Sequence, residues 1–455
     1  MIYFLGIGGI GMSALARYFR AKGERVAGYD RTVSPLTKEL EAEGISIVYG
    51  DDRLEIGDWI KELDPAHTLV VRTPAVSEQN SIYTYFREHG FAIIKRSELL
   101  GQVTERERAL CVAGTHGKTT TSTILAHLLQ SSHIGTNAFL GGISNNYGTN
   151  LLLNAKSDYV VVEADEYDRS FHHLKPYMSV ITSIDPDHLD IYGSPEAYQE
   201  GFEQYASLVE DTIVLKAGYG LGKSRVKAKV YTYCGEWKGQ GDEPDFYAEN
   251  IRVKDGEIRF DLKCSFDAQM SIADCQLGVP VWVNIENSVA AMAMALLNGV
   301  TKDEIRAGLA SYSGVYRRFN IHVNTPKVAY VDDYAHHPTE LHAAITSIRA
   351  LYPERHFIAV FQPHLYTRTR DFAADFKRVL GEADELVLLP IYPAREEPIP
   401  GVTSEMLGGK VVQKANLTEY LKARVAASEK PVVIATLGAG DIDRLVAEIA
   451  EGLKV

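Results

Sequence analysis

The chain has 455 residues, of which 45% are hydrophobic, and a formal net charge of −13. This length and apolar content allow roughly two to four domains with proper cores and exclude a disordered or fibrous protein. The acidic balance argues against nucleic-acid binding, so we expect a soluble enzyme that holds anions with local clusters of Arg and Lys.

The start of the chain and its cysteines indicate where the protein works. MIYFLGIGGIGMS has no basic leader, and no apolar stretch approaches the ~18 residues of a membrane span, so we expect neither secretion nor membrane insertion. The cysteines, at 111, 234, 264 and 275, form no CxxC pair, which indicates neither a zinc site nor a disulfide framework. These features predict a cytoplasmic protein.

The first predicted elements are a strand, IYFL, a glycine turn and an amphipathic helix. Gly6, Gly8 and Gly11 match the G-x-G-x-x-G fingerprint, and Asp30 ends the next strand, where a ribose-binding acid is expected. Taken alone, the fingerprint also fits an NAD-binding dehydrogenase or a tight turn without ligand. Strands at ISIVY, TLVVRTPAV and FAIIKR complete a small parallel sheet, which predicts a first domain over residues 1–106 with TERERA as a linker.

A second predicted domain, residues 107–313, opens with ALCVAGTHGKTTTST, an apolar strand followed by a glycine turn and a helix start. Such a turn points backbone N–H groups and a positive helix end at phosphates. Lys118 is expected to reach the terminal phosphates and Thr119 to bind Mg²⁺. The general P-loop pattern needs a glycine where this chain has Val112, so a plain strand-turn-helix connection is the alternative. The predicted ATP-binding residues of the turn are Gly114, Thr115, His116, Gly117, Lys118, Thr119 and Thr120.

Acidic residues follow the next two predicted strands, DYVVVEADEYDRSF and MSVITSIDPDHLDIYG. Because the carboxyl ends of parallel strands share one edge of a sheet, we expect these side chains beside the phosphate turn. Carboxylates and a histidine at that place suit Mg²⁺, although any single acid could be a solvated loop residue or a helix cap. The residues concerned are Glu163, Asp165, Glu166, Asp168, Asp185, Asp187, His188 and Asp190.

The remaining chain predicts an excursion and a further domain. Residues 217–280 are glycine-rich with short strands and predict an antiparallel β excursion, followed by a helix, NSVAAMAMALLNG. Residues 314–455 alternate strands and helices from KVAYVDDYAHHP onward, as in a doubly wound sheet. The predicted fold class is therefore α/β with three domains: an N-terminal Rossmann-like domain, a central P-loop domain with a β excursion and a C-terminal Rossmann-like domain.

A series of motifs in this order resembles the Mur ligases: GTHGKTTT, VEADEYDRSF, DPDHLDIYG, YRRF, DDYAHHPTE, FQPHLYTRTRDF and LGAGDI. The family has its own phosphate-loop form, GT[HN]GK[ST], which accounts for Val112. The resemblance implies ATP-driven joining of the lactyl carboxylate of UDP-N-acetylmuramate to an amino acid through an acyl phosphate, with two Mg²⁺ ions. It also implies that the C-terminal domain closes on ATP and the amino acid.

One departure concerns the amino acid that is added. Several later Mur ligases carry a carbamylated lysine downstream of an Asp-His pair, which here is Asp187 and His188. In this chain no lysine lies between Leu189 and Leu215. This fits the branch that adds L-alanine, while a ligase that attaches a murein tripeptide to the same UDP-sugar stays open. We expect a monomer or a weak homodimer.

The resemblance also implies roles for single residues. It places Glu163, with Glu166 as the substitute, on the metal near the nucleotide, and His188 on the second metal. Lys118, His188, Glu163 and Arg318 are the implied catalytic residues, with Arg317 as the alternative to Arg318. Asn284 and Asn287 resemble the adenine contacts, although Val281, Trp282 and Val283 replace the family's usual glycine-x-histidine, and Asp333 resembles the ribose contact.

Two further binding regions are implied. The N-terminal turn is expected to serve the UDP diphosphate rather than a dinucleotide. Its UDP-sugar residues are Gly8, Gly9, Ile10, Gly11, Asp30, Thr73 and Pro74. The amino-acid residues are His336, His364, Arg368 and Arg370, where surface salt bridges are the alternative for the two arginines.

Overall fold

The computed structural model describes residues 1–222, 226–254, 256–394 and 396–454, and only the backbone of Leu189 and Asp190. The side chain of Asp190, predicted at the acidic edge, thus lies outside the described residues. Two compact units are formed, one from residues 1–249, 262–272 and 287–309 and the other from residues 250–261, 273–286 and 310–454. Their three sheets lie in the three segments that the sequence predicts as domains.

The first sheet is parallel and lies at the start of the chain. Its strands are β1 (Ile2–Leu5), β2 (Val26–Asp30), β3 (Ser46–Tyr49), β4 (Leu69–Arg72) and β5 (Ala92–Lys95). Its helices are α1 (Ile10–Ala21), α2 (Pro35–Ala42), α3 (Asp58–Lys61), α4 (Ser81–Glu88) and α5 (Arg96–Thr104). The order β3-β2-β1-β4-β5 reverses direction at β1, so the glycine turn after β1 lies at the switch point, where doubly wound sheets bind ligands.

The central segment carries the longest sheet. Its strands are β6 (Arg108–Ala113), β7 (Asn137–Ser144), β8 (Thr149–Leu152), β9 (Tyr159–Ala164), β10 (Met178–Ile181), β11 (Thr212–Lys216), β12 (Lys229–Glu236), β13 (Phe246–Lys254), β14 (Glu257–Cys264) and β15 (Ile272–Gln276). Its helices are α6 (Lys118–Gln130), α7 (Leu189–Tyr192), α8 (Pro195–Ala206), α9 (Trp282–Leu297) and α10 (Lys302–Ser311). Strand β6 lies between β10 and β9 and is parallel to both, which brings the carboxyl ends of all three to one edge as predicted.

Two sequence predictions for this segment are wrong. Strand β12 pairs in parallel with β11, and β13 pairs in parallel with β12, so the excursion is not the simple antiparallel one expected. The helix predicted from NSVAAMAMALLNG also starts earlier than expected, because α9 begins at Trp282 and includes Asn284 as well as Asn287. The apolar sequence after Asn287 marked the middle of the helix rather than its start.

The third sheet has strands β16 (Asn320–Asn324), β17 (Val328–Asp333), β18 (His356–Phe361), β19 (Glu385–Leu388), β20 (Lys410–Val411) and β21 (Val432–Leu437). Its helices are α11 (Pro338–Leu351), α12 (Tyr366–Asp371), α13 (Ala373–Leu380), α14 (Leu417–Ala427) and α15 (Val446–Leu453). The order is β16-β17-β21-β18-β19-β20, and β16 pairs antiparallel with β17 while the other pairs are parallel. Short 3-10 helices lie at Pro65–His67, Tyr167–His173, Ala268–Met270, Ser404–Leu407, Lys414–Asn416 and Asp441–Leu445.

Within the first unit, the first two sheets share one hydrophobic core. The ring of Tyr18 on α1 lies 5.2 Å from that of Phe139 on β7. Glu107 accepts hydrogen bonds from the Tyr18 hydroxyl at 2.8 Å and from Asn137 Nδ2 at 3.1 Å, so the predicted linker TERERA is a packed connection. In the part of the chain that the structure describes, no helix is long and apolar enough to cross a membrane.

Candidate active site

The phosphate turn follows β6 and is fixed to the end of β10. The Thr115 N–H donates to the Ser183 carbonyl at 3.2 Å, and the His116 N–H donates to Ser183 Oγ at 2.9 Å. Gly114 has φ 133°, and a Cβ there would lie 2.1 Å from Thr182 Oγ1, so only glycine fits. Since Thr115 and His116 donate within the protein, the N–H groups left for a phosphate are those of the first turn of α6, which have no intrahelical acceptor.

Lys118 points back into this turn. Its Nζ donates to the Gly114 carbonyl at 2.7 Å and lies 2.9 Å from Glu166 Oε1 and 2.7 Å from Oε2. The Glu166 side chain is 2% exposed, and burial raises the pKa of its carboxyl while Lys118 lowers it. The Lys118 side chain is only 14% exposed. The Lys118 ammonium therefore lies in the turn where phosphates are expected to bind, and the Glu166 carboxylate neutralises its charge.

The acidic edge predicted from the sequence is present. His188 Nε2 lies 3.9 Å from Glu166 Oε1, and its ring packs edge-on against Tyr167 at 5.2 Å. Glu163 packs on β7, because a Cβ on Gly141 would lie 2.1 Å from its Oε2. Asp185 accepts a hydrogen bond from the Tyr219 hydroxyl at 2.6 Å. Lys118, Glu166 and His188 thus form one cluster, with Glu163 on the same edge.

These groups fit a magnesium ion that arrives with a nucleotide. Among the described residues, no three or more His, Cys, Asp or Glu side chains are grouped to hold a metal ion. Mg²⁺ is usually bound by one or two carboxylates together with substrate phosphates and water, so it does not need such a preformed group. Glu163, Glu166, His188 and the Thr119 hydroxyl are the residues that would hold it.

Asn287 lies against the phosphate turn. Its Oδ1 accepts a hydrogen bond from Thr121 Oγ1 at 3.2 Å, and a Cβ on Gly117, which has φ 82°, would lie 2.8 Å from the same oxygen. Asn284 donates to the Val279 carbonyl at 3.2 Å. Asn287, one of the two predicted adenine contacts, therefore contacts the phosphate turn.

In the second unit, the structure separates Arg317 from Arg318. Arg317 is buried, and its guanidinium donates to the Gly438 carbonyl at 2.6 Å and lies 3.4 Å from Asp332 Oδ2. Arg318 is exposed. Asp333 accepts the N–H groups of Phe319 at 2.8 Å and Ala335 at 2.7 Å, and burial raises the pKa of its carboxyl to about 6. Arg318 is the arginine that remains accessible to a ligand.

Three of the four residues predicted to bind the amino-acid substrate lie close together. The rings of His336 and His364 lie 6.2 Å apart, and Arg368 Nη1 lies 3.5 Å from His364 Nδ1. Burial lowers the pKa of both histidines, which favours their neutral forms. Arg370 is exposed and forms an ion pair with its neighbour Asp371, with Nε 2.7 Å from Oδ1. This contact is the surface salt bridge that was the alternative interpretation of this arginine.

Thr73 and Asp30 both lie against the N-terminal glycine turn. A Cβ on Gly6, at φ 86°, would lie 2.5 Å from Thr73 Cγ2, which places Thr73 and the following Pro74 beside the turn. The Gly8 N–H donates to Asp30 Oδ2 at 2.7 Å, so this acid contacts the turn directly.

Sequence reasoning missed two residues at this turn. Asn150, buried on β8, donates to the Ile10 carbonyl. Arg96 lies against Gly11, where a Cβ would be 2.9 Å from its Nη1. Arg96 could have been found, because it directly follows FAIIK and strand ends of a parallel sheet share the ligand edge. Asn150 carries no such signal.

A lysine-bearing phosphate loop at the end of a parallel strand, flanked by carboxylates and a histidine, defines a P-loop nucleotide-dependent enzyme. Family comparisons narrow this class. Residues 1–108 match the Mur ligase family catalytic domain, residues 112–295 the Mur ligase middle domain and residues 317–441 the glutamate ligase domain of Mur ligases. The chain belongs to the Mur ligase family, with the three-domain α/β fold that the sequence predicted.

Individual relatives agree in length and order. The chain is 53% identical over 455 residues to a UDP-N-acetylmuramate–L-alanine ligase of Parabacteroides distasonis, covering 99% of this chain and 96% of the relative. A crystal structure of a UDP-N-acetylmuramate-alanine ligase from Thermotoga maritima superposes with a TM-score of 0.78 at 25% identity, covering 99% and 98% of the two chains. A murein peptide ligase from Psychrobacter arcticus shares the fold, with a TM-score of 0.64 at 22% identity over 100% and 99%.

Proposed function

We propose that this chain joins L-alanine to the lactyl carboxylate of UDP-N-acetylmuramate at the expense of ATP, in peptidoglycan precursor synthesis. The products are UDP-N-acetylmuramoyl-L-alanine, ADP and phosphate. The observation that carries the proposal is the Lys118, Glu166 and His188 cluster at the phosphate turn of a chain that is 53% identical, over nearly its full length, to a ligase of that name. The proposed setting is the cytoplasm.

The proposed chemistry explains why the turn is needed. A carboxylate is a poor electrophile, so a carboxylate oxygen first attacks the γ-phosphorus and the bond to the β-γ bridging oxygen breaks, which releases ADP. The alanine amine then attacks the acyl carbon, loses a proton, and inorganic phosphate leaves. Phosphoryl transfer depends mainly on positioning and charge neutralisation, which Lys118 supplies once the phosphates draw it from Glu166.

Magnesium and the other residues are assigned by the same proposal. Mg²⁺ bound by Thr119, Glu163, Glu166 and His188 would neutralise phosphate charge. Adenine is assigned to Asn287 with Asn284, ribose to Asp333, a phosphate to Arg318, and the alanine carboxylate to Arg368 with His336 and His364. Arg370 is assigned no direct contact with the alanine carboxylate and contributes only positive charge at the periphery of this site. The UDP-sugar is assigned to the N-terminal turn, and the segments 1–106, 107–313 and 314–455 are proposed as the three domains.

The alternative substrate, a murein tripeptide, is less well supported. The full-length relatives at 51% to 53% identity are named for L-alanine, whereas the murein peptide ligase of Psychrobacter arcticus is similar in fold only. An NAD-dependent oxidoreductase gives no reason for Lys118 beside Glu166 and His188.

The test is phosphate release by the purified protein with UDP-N-acetylmuramate, ATP and Mg²⁺. L-alanine, glycine, L-serine and the tripeptide are compared, and Lys118→Ala prepared identically controls for contaminating ATPases. We expect L-alanine to give the highest kcat/KM. A higher kcat/KM for the tripeptide would transfer the assignment to the recycling reaction, and absence of phosphate release with every acceptor would reject the ligase proposal.

A further inference from the structure

Arg96 occupies an unusual place at the N-terminal glycine turn. In dinucleotide-binding folds, the third glycine of the fingerprint allows close packing of helix and strand. Here a Cβ on that glycine, Gly11, would lie 2.9 Å from Arg96 Nη1 and 3.4 Å from Cζ. The third glycine therefore makes room for a guanidinium, which lies against the first turn of α1.

The Arg96 guanidinium is also uncommitted. Within the described ranges, its side chain makes no hydrogen bond or ion pair with the protein. The other cations of this edge are used or solvated: Arg72 donates to the Val76 carbonyl at 3.0 Å, Lys95 lies 3.0 Å from Asp168 Oδ2, and Arg31 is exposed. A partly buried arginine beside a phosphate-binding turn, without a carboxylate partner, is available for an anion.

The charge balance of the turn favours a cation beside it. Asp30 Oδ2 lies 2.7 Å from the Gly8 nitrogen, so a carboxylate already occupies one of the turn's N–H groups. A diphosphate at the same helix end would meet this negative charge and would have lost one donor. A guanidinium supplies both the opposite charge and paired N–H donors, which match phosphate oxygens.

We infer that Arg96 binds the diphosphate of the UDP-sugar, with the first-turn N–H groups of α1 as its partners. This inference rests on the proposed function and names the cation of its UDP-sugar site. Arg96 begins α5, which places its side chain against Gly11 in the first turn of α1.

The test uses the full-length protein and three variants: Arg96→Gln, Arg96→Lys, and Arg87→Gln as a control with the same charge change at an exposed site on α4. Calorimetry gives the Kd for UDP and for ATP, and turnover gives KM for UDP-N-acetylmuramate. We expect Arg96→Gln to weaken UDP about 10- to 100-fold, as loss of a charge-assisted phosphate contact does. Arg96→Lys recovers part of this loss, since it keeps the charge without the fork.

The expected pattern also includes a raised KM for UDP-N-acetylmuramate with kcat at saturation retained, and an unchanged Kd for ATP. An unchanged Kd for UDP in Arg96→Gln overturns the inference while the ligase proposal stands. Equal weakening of UDP and ATP, with a lowered Tm in both Arg96 variants, overturns it in favour of a packing role. Absence of wild-type turnover with UDP-N-acetylmuramate rejects the proposed function instead, because that measurement does not depend on Arg96.

Discussion

The Lys118 ammonium and the Glu166 carboxylate form a buried ion pair, with Nζ 2.7 Å from Oε2 and side-chain exposures of 14% and 2%. The positive charge of Lys118 in the phosphate turn is thus neutralised by a carboxylate of the protein itself. An incoming nucleotide must exchange one anionic partner of Lys118 for another, which leaves Glu166 free for a cation. Charge is conserved in this exchange if Mg²⁺ accompanies the phosphates.

We expect Lys118→Ala to lose turnover and also stability. Removing one partner of a buried ion pair leaves an uncompensated charge, which costs about 3 to 5 kcal/mol of unfolding free energy. Urea denaturation and phosphate release measure the two effects. Lys95→Ala is the control, because its pair with Asp168 is exposed and we expect a loss of less than about 1 kcal/mol. Wild-type turnover in Lys118→Ala would contradict the role of the turn.

His188 permits a separation of structure from chemistry. It has φ 50°, a conformation that asparagine adopts more readily than most residues. We therefore expect His188→Asn to keep the wild-type Tm and ATP affinity, while kcat falls at least about tenfold because the imidazole beside Glu166 is lost. Thermal unfolding, ATP titration and turnover test this. A lowered Tm with unchanged kcat would assign His188 to the local backbone alone.

Gly117→Ala should disrupt the phosphate turn beyond simple backbone strain. Gly117 has φ 82°, and its added Cβ would lie 2.8 Å from Asn287 Oδ1. Gly148 is a matched control, because it has φ 64° and nothing within 4 Å of the added Cβ. We expect Gly148→Ala to cost about 1 kcal/mol of unfolding free energy and Gly117→Ala clearly more, with weaker ATP binding. Equal losses of unfolding free energy in the two variants would mean that the Asn287 side chain moves away from the added Cβ without cost.

The two neighbouring arginines should behave oppositely. Arg317→Ala leaves the Asp332 carboxylate buried without its opposite charge and removes the donor to the Gly438 carbonyl, so we expect a loss of about 3 kcal/mol or more in unfolding free energy. Arg318→Ala removes an exposed side chain, so we expect the wild-type Tm and a raised KM for ATP. Denaturation and kinetics on both variants decide. A stable Arg317→Ala with raised KM would reverse the assignment.

Asp333 should produce a measurable pH dependence of stability. Burial raises the pKa of Asp333 from the ordinary aspartate value of 3.8 to about 6, so the folded state binds more protons than the unfolded state, and the unfolding free energy falls as pH rises from about 4 to 6. Asp333→Asn removes this dependence, so the variant gains relative to wild type across that window. Asp384→Asn is the control, because Arg349 lowers the pKa of Asp384 to about 2 and its effect stays constant above pH ~4. Parallel stability profiles for wild type and Asp333→Asn would contradict the shift.

Local patterns predicted the phosphate turn well, because the apolar run of β6, Gly117 and Lys118 act within one strand-turn-helix segment. The parallel pairing of β12 and β13 could not be predicted in this way, since it depends on strands distant in sequence. The position of Arg96 directly after β5 indicates the ligand edge, but its contact with Gly11 depends on how α5 packs beside the first turn of α1.

The side-chain network at the acidic edge was predicted only in outline. Position along the strands placed Glu163 and Glu166 on one edge, but not which of them pairs with Lys118. Glu166 is the buried partner of Lys118, and the Tyr192 hydroxyl donates to its backbone carbonyl at 2.7 Å. These tertiary contacts are not encoded in the position of Glu166 along the strand.

The core shared by α1 and β7 has a consequence for how this protein can be divided. A chain that began at residue 107 would lack Tyr18, so Phe139 would be exposed and Glu107 would lose the hydrogen bond from the Tyr18 hydroxyl. We expect such a fragment to aggregate, because it would expose a contiguous apolar surface to solvent. The first two sheets should accordingly melt together in a single calorimetric transition, and gene fragments encoding either sheet alone should yield insoluble protein.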